Sequence, residues 1–241
     1  ETFVEHIHRV VYELWPSPFR DADGRPLPAG DEGLGYAVAR AEADEQEPWR
    51  APRRYEDRAQ GPEYDLDGNI VEPTEYMINP AGFTIHSAIH AAREDAKFVL
   101  HVHTDAGIAV ASTKEGLLPI SQHALIALPN LAYHDYEGIA LDLDERERLV
   151  QDLGDKKALM LWNHGTLAVG ETAAQCWMMI FYLERACAIQ VMASAQGREH
   201  LRIAPDHAIE TVKQQQAIAS GVGAMLAWPG CLRKLDRESP G

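Results

Sequence analysis

The stretch FVLHVHT, Phe98 to Thr104, decides how this chain is read. Its apolar, β-branched character marks a buried strand, and two histidines interrupt it at 101 and 103. Side chains alternate across a strand, so residues two apart leave on the same side, and His101 and His103 project together. Burying two unpaired imidazoles costs free energy unless both are satisfied, which one shared metal ion accomplishes. A second apolar run, ALMLWN (158–163), reads as another buried strand and ends in Asn163-His164-Gly165. A histidine beside a glycine at a strand end has room to turn toward a neighbouring site. Imidazole is the commonest nitrogen ligand of first-row divalent metals, and three protein ligands with an open position describe a catalytic site. His101, His103 and His164 are therefore the candidate ligands. For any one of them alone, a core histidine bonded to backbone is the competing reading; the pair within one apolar strand weakens it.

Outward from that strand, TIHSAIHAA (84–92) reads as a helix with Thr84 as N-cap, and His86 and His90 share its face at i and i+4. Ala106 to Ser112 continues as a helix. LPISQHALIAL (118–128) is expected as strand then helix, and LAYHDYEGIAL (131–141) as a strand ending near Gly138. Asp144 to Leu153 is a short helix, capped by Asp144 and stopped by Gly154. Glu171 to Ala195 is a long helix with an apolar stripe at Met178, Tyr182, Leu183 and Ala186. One more helix is expected over 207–220, followed by a polar end at 233–241. Upstream, residues 3–15 read as a short helix stopped by Pro16 and Pro18. Residues 16–62 are rich in Pro, Gly and charge, and are expected as long loops with one short helix near 36–46. DLDGNIVEP reads as a strand–turn around Asp67-Gly68.

Of the 241 residues, 46% are apolar, enough for one sizeable core. A single domain over 1–241 is expected, with 16–62 a divergent N-terminal segment and 198–241 a C-terminal helix and tail. The formal charge of −15 argues against nucleic acid and against an anionic membrane surface, since both attract a basic footprint. No run of 18 apolar residues occurs, and a cytoplasmic location is expected. Cys176, Cys187 and Cys231 fit neither a disulfide framework nor a CxxC site. Cys176 and Cys187 share a helical face and read as small core residues.

The runs INPAGFTIHSAIHAAREDAKFVLHVHTDAGIAVAS, GLLPISQHAL, AYHDYEGIAL and LWNHGTLAVGE resemble the class II aldolase/adducin superfamily, and its bacterial adducin-like branch most nearly. The resemblance covers about residues 64–197. It implies an α/β, three-layer fold with a central, largely antiparallel sheet flanked by helices. It also implies a divalent metal on His101, His103 and His164, and a cyclic homotetramer with sites at subunit interfaces. Two departures stand out. The catalytic glutamate of the family's sugar-phosphate aldolases aligns with about Gly82, and no acid lies between Tyr76 and Arg93. The family's N-terminal phosphate loop is replaced by the segment 16–62, which holds no Gly-rich cradle.

A small, non-phosphorylated substrate is therefore expected. His86 or His90 would fill the place of the missing acid as catalytic groups, and Tyr136 would donate a proton. Asn79, Thr84 and Asn163 are candidates for binding substrate. Tyr133 and His134 lie on the strand where the family places pocket residues, and His123 reads as structural or near the rim. His6, His8, His200 and His207 read as surface, and the five tryptophans as packing residues. The chemistry expected first is a lyase acting on a hydroxy- or keto-acid through an enolate, by aldol-type cleavage or decarboxylation. A mononuclear non-haem iron oxygenase is the alternative. An adducin-like binding protein without catalysis is the second alternative. The metal (Zn, Mn or Fe) is left open, since three histidines do not choose among them.

Overall fold

A strand buried on both faces needs a layer of helices on each side. The computed structural model describes residues 37–39, 80–138 and 145–238. β1 (Ala37–Ala39), β2 (Phe98–Val102), β3 (Leu131–His134), β4 (Ala158–Leu161) and β5 (Gly165–Gly170) form one sheet in the order β1-β2-β5-β4-β3. β2 pairs antiparallel with β1 and β5, and β4 with β5, while β3 and β4 run parallel. The helices are α1 (Pro80–Ala92), α2 (Asp105–Ala111), α3 (Gln122–Ala127), α4 (Glu145–Leu153), α5 (Ala173–Ser194) and α6 (Asp206–Glu238).

Strand alternation sorts the core into two halves. Leu100, Val102, Met160 and Ala168 pack with Val110 of α2, Ala124 of α3, and Ile180, Leu183 and Cys187 of α5. Val99, Leu159, Leu161, Leu167 and Val169 face the other way, onto Ile85 and Ile89 of α1 and Leu149 and Leu153 of α4. Full burial of each valine, leucine, isoleucine or methionine among them stabilises by about 1.5–3 kcal/mol. This is the expected three-layer, largely antiparallel architecture. His101 lies between Leu100 and Val102, so its ring leaves on the α1/α4 side.

Several boundaries differ from the sequence expectation. Ala37–Ala39, expected near a helix, is a strand laid on the edge of β2, with Ala37 opposite Leu100. Helix propensity is a weak prior, and the backbone groups of an open sheet edge outweigh it here. α1 begins at Pro80, because proline is favoured at a helix start where its missing N–H has no partner to lose. Thr84 thus lies inside the helix, buried, and is not its cap. No strand forms at 118–120. Instead Ser121 caps α3, accepting from the Ala124 N–H at 3.1 Å, and Pro119 has no ladder donor to offer. β3 ends at His134, short of Gly138. α6 runs through the expected polar end to Glu238, with Pro229 inside it. The helix expected at 3–15, the turn at Asp67-Gly68 and the cap Asp144 lie outside the described residues.

α5 begins at a capping box, with Thr172 and Gln175 each bonding the other's backbone N–H. Its buried arc runs through Cys176, Ile180, Leu183 and Cys187, while Met178 and Tyr182 are only partly buried. Side-chain size is a poor guide here because α5 approaches the sheet closely. Cys176 Sγ bonds the Ala168 carbonyl at 3.3 Å, and a Cβ at Gly170 would lie 2.6 Å from the Cys176 nitrogen. By length and composition α5 could cross a membrane, but this packing makes it a core helix. Cys176 and Cys187 are buried core residues, as expected.

Candidate metal centre

The pairing of β2 with β5 brings the three histidines together. His101 stands opposite Leu167 and Val102 opposite Thr166, so the turn before β5 lies beside the end of β2. That turn is tight. Asn163 takes the left-handed conformation, φ 57°, which asparagine tolerates better than most residues. Its N–H bonds the Ala111 carbonyl at 3.0 Å. Gly165 is required by close approach: a Cβ there would lie 2.5 Å from the Val102 carbonyl and 3.0 Å from the His103 ring. With that space left open, His164 turns toward β2.

The nitrogens converge. His101 Nε2 lies 2.7 Å from His103 Nε2 and 3.4 Å from His164 Nε2, and the three ligand atoms are all within 4.8 Å of one another. His101 Nδ1 donates to the Thr166 carbonyl at 2.9 Å. That bond places the ring proton on Nδ1 and leaves the Nε2 lone pair directed at its neighbours. Lone pairs facing one another at this range repel unless a proton or a cation lies between them. Burial, then His164 and His103, pushes His101 well below the usual histidine range. Burial first, then His103 and His134, lowers His164 to about 4, and burial lowers His103 as well. Near neutral pH the centre is thus a set of uncharged imidazoles with lone pairs aimed at one point, a donor set that fits a divalent cation.

The other expected site residues, where they are described, lie at different depths. His86 on α1 is 1% exposed, and neither ring nitrogen has a hydrogen-bond partner. Burial, then His90, drops it to about 3; it also lowers His101 electrostatically. The His90 ring centroid is 6.4 Å from that of His86, and its Nδ1 bonds the Ala96 carbonyl at 2.7 Å, tying α1 to the approach of β2. Tyr136 is 53% exposed, its ring 6.2 Å from that of His164. Thr84 is buried in α1, Asn163 is exposed in the ligand turn, and Asn79 lies outside the described residues.

Two further groups stand beside the centre: His134, expected only to lie on a pocket strand, and Glu184, which escaped sequence reading. His134, buried at the end of β3, bonds Asp152 Oδ2 through Nδ1 at 2.7 Å and approaches Glu145 Oε1 through Nε2 at 3.4 Å. Glu184, 2% exposed, bonds the hydroxyls of Thr104 and Thr166. The available signal for Glu184 was an acid within the apolar run of α5, at the position following Leu183. Tyr133 stacks on Trp162 at 4.7 Å, and its hydroxyl accepts from the Leu117 N–H, so it is a packing residue. His200 and His207 are exposed, as expected.

Comparison with known proteins gives the family and the fold. Residues 57–191 match the family described as Class II Aldolase and Adducin N-terminal domain. A Caulobacter vibrioides protein named "Putative aldolase class 2 protein" is 65% identical over 177 residues, 73% of this chain and 69% of that protein. Alpha-adducin of Rattus norvegicus is 49% identical over 142 residues, 57% of this chain but 19% of that protein. Among solved structures, an aldolase II superfamily protein from Pseudomonas syringae superposes with a TM-score of 0.69 at 49% identity. That superposition covers 73% of this chain and 70% of the other.

Proposed function

The chain belongs to the class II aldolase/adducin family, and from that premise we propose that it is a divalent-metal-dependent lyase. Its substrate is a small, non-phosphorylated hydroxy- or keto-acid, cleaved at a C–C bond or decarboxylated through an enolate. The observation that carries this is the convergence of three uncharged imidazole nitrogens within 4.8 Å of one another. His101, His103 and His164 would hold the ion through Nε2. When bound, it would supply Lewis acidity that stabilises negative charge developing on substrate oxygens. Zinc, manganese or iron would each suit the donor set.

The chain's own groups divide the remaining work. With Gly82 where the family's aldolases carry an acid, proton transfer falls to His86, buried with both nitrogens unpartnered. His90 stands behind it as the second member of the pair. Tyr136, at the exposed rim beside His164, donates a proton to the leaving fragment. Asn79, Thr84 and Asn163 bind substrate oxygens. The assembly is a homotetramer, which light scattering checks directly.

The direct test is isotope exchange. Protein loaded in turn with zinc, manganese or iron(II) is incubated in deuterium oxide with a panel of short hydroxy- and keto-acids. Mass spectrometry then reads deuterium at the carbon beside the carbonyl, along with cleavage or loss of CO₂. Metal-dependent exchange supports the lyase. Tight metal binding with neither exchange nor products, for any acid and any metal, would leave the non-catalytic reading, which the missing acid and the adducin likeness favour.

A further inference from the structure

Glu184 is a carboxylate set in the apolar arc of α5, on the sheet face opposite the imidazoles. Both of its oxygens are engaged: Oε2 accepts the hydroxyl of Thr104 and Oε1 that of Thr166. Neither partner is incidental. Thr104 directly follows His103, and its Oγ1 accepts the Gly107 N–H at 2.9 Å, capping α2. Thr166 stands two residues after His164, and its carbonyl receives the His101 Nδ1–H at 2.9 Å. Gly107 leaves the space the carboxylate occupies, since a Cβ there would lie 2.8 Å from Thr104 Oγ1 and 2.9 Å from Glu184 Oε1.

Among the described residues, no lysine or arginine pairs with Glu184, and burial raises its pKa to about 7 against the two hydroxyl bonds. A buried acid without a cation is costly, and apolar residues of similar size often pack at least as stably. Packing therefore does not account for it, whereas its partners do: they belong to the two segments that carry every candidate ligand. We infer that Glu184 is a positioning residue for the metal centre, a single carboxylate on α5 that holds the ends of β2 and β5 in register and so sets the mutual placement of His101, His103 and His164. The inference rests on reading those histidines as metal ligands. It assigns Glu184 no contact with substrate.

Cobalt(II) tests it, because its visible bands report ligand geometry independently of turnover. The full chain is titrated with cobalt in the wild-type, Glu184→Ala, Glu184→Gln, Thr166→Val and Thr166→Ser forms. Loss of an outer hydrogen-bond partner commonly weakens metal binding about 10–100-fold. A loss of that size with displaced bands is expected for Glu184→Ala and Thr166→Val. Thr166→Ser, which restores the hydroxyl, is expected to recover both affinity and spectrum, and Glu184→Gln to fall between. If Glu184→Ala does not fold, Glu184→Gln and Thr166→Val decide in its place. Variants that only melt at lower temperature, while binding cobalt with wild-type affinity and bands, overturn the positioning role. Wild-type protein that takes up no cobalt overturns the ligand reading beneath it, a failure visible before any substitution is made.

Discussion

His86 is buried with neither ring nitrogen hydrogen-bonded, and the consequence is a pH dependence. Its pKa is about 3 in the folded protein against an ordinary value of 6.5, so the unfolded chain binds the proton first as pH falls. The stability this contributes is complete above 6.5 and drains away down to about 3. His164, at about 4, adds in the same direction. Glu184 acts oppositely. Raised to about 7 from 4.5, it contributes stability below 4.5 that is lost as pH rises through 7. Urea midpoints of the metal-free protein should therefore climb from pH 4 to 6.5, and climb more steeply in Glu184→Gln, where the opposing contribution is gone. A flat profile in both proteins would contradict the burial of His86. On the same scale, His101→Ala should lower bound zinc from one ion per chain to near none, as measured by elemental analysis after dialysis. Full occupancy in that variant would exclude His101 as a ligand.

At the scale of elements, the β4–β5 turn carries the greatest constraint. Gly165→Ala forces a methyl group against the Val102 carbonyl and the His103 ring. Overpacking of this kind costs about 1–3 kcal/mol, and here it should also push β2 from β5 and weaken zinc binding at least tenfold. Isothermal titration and urea melts read the two effects separately. Asn163→Gly removes a side chain from a left-handed position, φ 57°, and should change stability by less than about 1 kcal/mol while preserving metal binding. The HxH spacing was legible because strand periodicity alone puts His101 and His103 on one side. The acid in the buried arc of α5 was not, because helical periodicity ranks positions by hydrophobicity and so passes over a residue such as Glu184.

For the molecule as a whole, the ligands join elements far apart in the chain: β2 at 98–102 and the turn ahead of β5 at 165–170. An ion held there binds only the folded form, so its binding free energy adds to global stability. Zinc at a hundredfold excess over its Kd should stabilise by about 2.7 kcal/mol, raising the melting temperature by roughly 5–10 °C at about 2–4 °C per kcal/mol. A chelator should reverse the shift, and His101→Ala should abolish it. A metal that leaves melting unchanged in wild-type protein would mean that it binds the unfolded chain equally well or does not bind at this centre. The formal charge of −15 favours cation uptake over anion binding across the surface, without locating either.

Read alone, the amino-acid order determined the buried strands β2 and β4, most of the helices and which histidines pair within β2, because these follow from local periodicity. Only the tertiary structure decided that His164 meets that pair, that His86 is buried without a hydrogen-bond partner and that Glu184 bonds Thr104 and Thr166 from the opposite face. Each of these depends on the register between β2 and β5 and on how closely α1 and α5 approach the sheet. Those distances arise from packing among residues remote in the chain, which no local pattern encodes.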